Sequence, residues 1–150
     1  RWIVAHPQAL IGFSDAGAHL RNMAYYNFPL RLLRMVRDAE RAGRPIMTLG
    51  RAVQRLTSEL ADWLGLEAGR LREGARADLV VVRPQGLTDA VDRIEEVELP
   101  GFDGLQRLVR RNDAAIGAVL IGGHVAVVEG VPLEELGSVK MGRVLRARAT

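Results

Sequence analysis

Along residues 29–42 the apolar positions Leu30, Leu33, Val36 and Ala39 recur every third residue, with Leu32 and Met35 widening the stripe. That spacing predicts a helix with one buried face. Pro29 suits its first turn, where no backbone N–H is required, and Gly43 suits the left-handed position just past its end. Leu49, Ala52, Val53 and Leu56 repeat the i, i+3, i+4, i+7 spacing behind Thr48, whose hydroxyl can accept from the first turn's free N–H groups. A second short helix follows, with Thr57 or Ser58 as its cap and Leu60, Ala61 and Leu64 as its apolar face. Glu59 is favourable in its first turn, and Gly65 stops it. Residues 105–111, "LQRLVRR", put Leu105, Leu108 and Val109 on one face and predict a further helical turn or two.

Other runs lack the helical period. Residues 9–13, "ALIGF", are apolar without interruption and end at Ser14-Asp15, which suits a strand buried on both faces of a parallel sheet. "LVVV" at 79–82 is a β-branched strand closed by Pro84. "IGAVLIGGHVAVVEG" at 116–130 predicts a hairpin, because glycine at 122 and 123 tolerates the positive φ angles of a tight turn. Glu129-Gly130 makes the next turn. Residues 85–104 are polar and turn-rich, and predict a long surface loop. The texture changes near residue 66. A strand–loop–helices piece over 1–66 therefore precedes a β-rich piece over 67–150. One parallel strand cannot make a sheet alone, so the first piece reads as the last unit of a larger α/β domain. The expectation is that the chain is a fragment, and its opening on Arg1 fits that.

Composition narrows the classes. The 150 residues are 48% hydrophobic and 26% charged, ordinary for a globular protein. There is no cysteine, which excludes disulfides, cysteine-ligated metal and a thiol nucleophile. The charge is +3 and the sequence pI about 10.1. The arginines are scattered among acids, and aromatics make up only 5%, so no basic, aromatic-interleaved stripe predicts a nucleic-acid partner. No apolar run approaches the roughly 20 residues that cross a bilayer. With no targeting segment visible, a cytoplasmic location and no membrane partner are expected.

The chemistry centres on "GFSDAGAHL". Asp15 would sit at the C-terminal end of the 9–13 strand, where α/β folds place catalytic groups. A carboxylate there can ligate a metal or act as a base on bound water. The plainer reading is a loop aspartate that caps the next turn. His19 follows four residues later and offers an imidazole, a group suited to metal or substrate. One Asp and one His do not complete a zinc site, which wants three or four protein ligands. His6 and His124 read as surface residues. Ser14 lacks the Gly-x-Ser-x-Gly elbow of a serine hydrolase. "GLEAGRLREG" lacks both the phosphate-loop lysine and dinucleotide spacing.

Three segments together resemble the C-terminal part of the amidohydrolase superfamily, most closely its N-acyl-D-amino-acid deacylase (D-aminoacylase-like) branch. They are "IGFSDAGAHL", "TLGRAVQRLTSELADWLGLEAGRLREGARADLVVVRP" and "AIGAVLIGGHVAVVEGVP", with "GRVLRA" near the end. The resemblance implies an α/β fold: the last strand–helix unit of a (β/α)8 TIM barrel over 1–66, then part of a β-sandwich over 67–150. It implies a divalent metal, usually zinc, and hydrolysis of a linear amide such as an N-acyl-D-amino acid by metal-activated water. Asp15 matches the family's strand-eight aspartate, a metal ligand and general base, and His19 is assigned to substrate binding. The other ligands, a His-x-His pair and a bridging lysine or cysteine among them, are absent here. The expected partners are therefore an amide substrate, the N-terminal barrel portion of the same enzyme, and a second copy in a homo-oligomer. The isolated chain is expected to be inactive. A non-catalytic scaffold or oligomerisation segment is the alternative, and a cyclic amidohydrolase or deaminase a third reading.

Overall fold

The computed structural model describes residues 1–12, 14, 21, 24–99, 101–110 and 112–147. A single turn, α1 (Trp2–Ala5), leads into residues 9–12, which take no regular structure. A 3-10 turn (Ala24–Asn27) runs into α2 (Phe28–Arg41), followed by α3 (Leu49–Leu56) and α4 (Ser58–Trp63). The predicted signals act as physics requires. Pro29 lies in the first turn of α2, Gly43 takes φ 67° beyond its end, and the Thr48 hydroxyl accepts from Arg51 N–H at 3.1 Å. Thr57 does not cap α4 with its side chain; its hydroxyl donates back to the Val53 carbonyl at 2.8 Å.

The β part has two sheets. One holds β1 (Leu79–Val82), β4 (Ile116–Ile121), β5 (His124–Val128) and β6 (Val131–Pro132) in that spatial order. The other pairs β2 (Glu95–Glu98) with β3 (Gln106–Val109). Among the described residues, the ladders of both sheets are antiparallel. Gly122 and Gly123 turn the β4–β5 hairpin at φ 58° and 88°, a conformation that costs a residue with a Cβ about 1–2 kcal/mol. The expected helix at 105–111 is instead strand β3. Local apolar spacing yields here to the cross-strand pairing with β2. The turns at Gly101 and Gly104 bring it back onto β2, with Val97 opposite Arg107.

The core sits between α2 and a segment that the sequence suggested was surface loop. Leu30, Leu32, Leu33 and Val36 bury against Ala52, Leu87, Val91 and Ala115. Leu87 directly follows the 3-10 turn Pro84–Gly86, and Val91 lies in the next, Asp89–Asp92. The polar rim of α2 clasps their backbone. Arg37 donates to the Pro84 carbonyl at 2.7 Å and Arg34 to the Thr88 carbonyl at 2.9 Å. Gly86 lies so close to Ala114 that an added Cβ would overlap the Ala114 carbonyl.

The expectation of a TIM-barrel strand–helix unit followed by sandwich strands is overturned. Residues 9–12 form no strand, the ladders run antiparallel, and α2 and α3 pack on each other rather than crossing between parallel strands. The physical reason lies in Arg55. Its side chain is 1% exposed, and its guanidinium donates to the carbonyls of His6, at 3.0 Å, and Ala9. The Ala9 carbonyl, an acceptor that a sheet neighbour would have used, is taken by a side chain. The chain forms a small mixed α/β fold.

Candidate functional site

Asp15 and His19 lie outside the described residues, but both flanks of their segment are anchored. The Ser14 hydroxyl donates to the Tyr25 carbonyl at 2.9 Å. The Arg21 carbonyl accepts from Leu108 N–H at 2.7 Å, and its guanidinium pairs with Glu96. Beneath them is a polar network. Asn27, at the start of α2, is buried and spends its side-chain N–H on the Val91 carbonyl rather than on its own helix. Asp92 takes Arg31 at 2.9 Å and Arg34 at 2.6 Å, with Arg110 at 3.7 Å. Arg110 also lies 5.9 Å from the Tyr25 ring centroid, within cation–π range. A carboxylate shared by three guanidiniums is a structural hub, since it ties α2 to the 3-10 turn at 89–92 and to Arg110.

The other sequence candidates fall apart spatially. His6 packs its ring on Trp2, centroids 4.5 Å apart, and accepts from Gln8 N–H at 3.3 Å. His124 opens β5 and is exposed. Among the described residues, no three His, Asp or Glu side chains converge as a metal site would need. The described residues therefore do not by themselves fit the divalent metal that the resemblance implies.

A cavity of about 360 Å³ lies instead beside the 65–76 loop. Arg70, Arg72, Arg76 and Arg143 line it together with Asp62 and Glu67. Leu66 and Gly65 N–H groups close the end of α4 on the carbonyls of Ala61 and Asp62, and Ala75 N–H bonds the Arg72 carbonyl at 3.1 Å. Arg70 pairs with Asp62 at 2.6 Å, which raises the Arg70 pKa further above its ordinary value. Arg76 pairs with Asp78, whose carboxylate also accepts from Gly122 N–H at 2.7 Å. The Arg76 hydrogen bond holds Asp78 below the ordinary carboxylate range; partial burial opposes this, and Gly122 N–H and the charges of Arg76 and Arg143 assist it. The sequence reading missed this cluster because its arginines alternate with other residues and match no motif. The signal in the sequence was the density of arginine at 70, 72 and 76, and nothing near them pointed to Arg143.

No family model and no solved structure matches the chain. Similar proteins do exist. The uncharacterized protein Mb2937c of Mycobacterium bovis is 49% identical over 154 aligned residues, covering 97% of this chain and 24% of its own length. The uncharacterized protein Rv2913c of Mycobacterium tuberculosis strain H37Rv matches to the same extent. The chain thus spans about a quarter of the length of these relatives. No helix among the described residues is long and apolar enough to cross a membrane.

Proposed function

We propose that the chain is one segment of a metal-dependent amidohydrolase that cleaves a linear amide such as an N-acyl-D-amino acid. The observation that carries the reading is the ordered set "SDAGAH", "LREGARADLVVV" and "AIGAVLIGGHVAVVEGVP" in a chain whose relatives are about four times as long. A longer protein has room for the donors this stretch lacks. Asp15 is then the base that takes a proton from the attacking water and returns it to the leaving amine, with His19 toward the substrate. A positioned carboxylate in that role contributes about 10²–10⁴-fold. The donors for a divalent metal, zinc in the resemblance, come from outside the described residues.

The test is N-acyl-D-amino-acid hydrolysis by the longer protein, with bound metal measured alongside. Asp15→Asn is expected to lower kcat by about 10²-fold or more while KM changes little. An unchanged kcat overturns the role of Asp15, and absence of both metal and amide hydrolysis overturns the class. A second reading, a non-catalytic scaffold, draws on the exposed Val80, Val81, Val125, Val128 and Val131 of the four-stranded sheet. Light scattering separates the two: a stable monomer counts against the scaffold.

A further inference from the structure

We propose that the cavity beside the 65–76 loop is a binding site for a small multivalent oxyanion, a phosphate- or carboxylate-bearing molecule held by Arg72, Arg143 and their neighbours. The inference does not rest on the hydrolase reading, and it uses neither Asp15 nor His19.

Four arginines and two acidic residues line the cavity, which leaves the lining positive. The arginines are not equivalent. Arg70 and Arg76 are already committed to Asp62 and Asp78. Arg72 has no ion-pair partner among the described residues, and Arg143 is known there only through its field on Asp78. Arg72, without an ion pair among the described residues, and Arg143 line the cavity together with the paired Arg70 and Arg76, and a guanidinium offers planar pairs of N–H donors, the geometry that oxyanions accept bidentately. The rim is held in place before any ligand arrives. Gly123 N–H bonds the Ala77 carbonyl at 2.9 Å and Gly122 N–H bonds Asp78, so the end of the loop is pinned to the β4–β5 turn. Arg76 is nearly buried, at 9% exposure of its side chain, and cannot swing away. Preorganisation of this kind lowers the cost of binding.

Size and lining select the ligand class. A volume near 360 Å³ is at the lower end of small-molecule sites and is concave rather than a track. No aromatic side chain among the described residues lines it, so they offer no platform on which nucleotide bases would stack. A compact polyanion fits both facts.

The experiment titrates the full 150-residue chain with pyrophosphate and, separately, citrate, following backbone amide shifts by NMR, with sodium chloride at matched ionic strength as reference. Saturable shifts at Leu66, Ala68 and Ala75, half-complete below about 1 mM for at least one anion, are expected. The anion that saturates first tells phosphate from carboxylate chemistry. Arg72→Gln with Arg143→Gln should weaken that binding at least 10-fold, whereas Arg41→Gln on α2 should leave it unchanged. The site is overturned if neither anion saturates in the unaltered chain, or if sodium chloride reproduces the shifts. It is also overturned if the double variant binds as before, if Arg41→Gln weakens binding equally, or if a single-stranded oligonucleotide binds there more tightly. The titration of the unaltered chain decides the matter even if the double variant does not fold.

Discussion

The helical core and the four-stranded sheet are both rich in aliphatic residues, yet they hold together by different means. Around α2, five side chains are buried on one helix, and arginines on the same helix clasp the 84–92 backbone over them. In the sheet, Val80 and Val81 of β1 and Val125 and Val128 of β5 stay exposed, and Ala126 is the buried hydrophobic residue of β5. Burial specifies the first region, whereas turn geometry and ladder hydrogen bonds specify the second. Hydrophobic content alone therefore does not tell where stability resides; the partner surface does.

Four experiments press on that contrast. Gly86→Val would drive a branched side chain into the Ala114 carbonyl at the centre of the core. The expected loss exceeds about 4 kcal/mol, seen as failure to show a cooperative thermal transition. Next comes a matched pair of truncations. Leu32→Ala, at a residue 4% exposed, should cost about 2–4 kcal/mol in urea unfolding. Val81→Ala, at 51% exposure, should cost about 0.5 kcal/mol or less. Equal losses would show that the sheet is as well covered as the helices, and the contrast would fail. Gly122→Ala tests the turn: at φ 58° and beside the Met141 carbonyl, a Cβ should cost about 1–2 kcal/mol without touching the core. The smallest effect is electrostatic. Asp78 has its folded pKa depressed, so its contribution is complete above the unfolded value near 4 and fades as pH falls through the folded value. With the carboxylate side chain 40% exposed, that contribution stays below about 1 kcal/mol. Asp78→Asn should remove the corresponding part of the acid sensitivity and little else.

What the sequence disclosed was local. The α2 stripe, the Thr48 cap and the Gly122-Gly123 hairpin each follow from residues within a few positions of one another. What it concealed was long-range. Strand β3 depends on a partner eight to fourteen residues upstream, and Leu87 and Val91 look like loop residues until α2 is laid against them. Residues 9–12 read as a strand because nothing nearby in sequence announced that Arg55 would claim the carbonyls of His6 and Ala9. The i, i+4 placement of Glu59 after Arg55 was the one hint, since a buried guanidinium needs a counter-charge, and Glu59 stands 3.6 Å away. For the site, Asp15 stood out by chemical type, whereas the arginine cavity arises only when Arg143 folds back beside the 65–76 loop.

The β4–β5–β6 meander also carries a kinetic consequence. Its pairings join residues a handful of positions apart, from Ile121 with His124 to Val128 with Val131. Strand β1 reaches β4 only by closing a loop of some forty residues, from Leu79 to Leu120. Hairpins of the first kind close in roughly microseconds, and distant pairings wait for the loop entropy to be met. The meander should thus gain amide protection first in pulse-labelling exchange, with β1 docking last onto a template that is already formed.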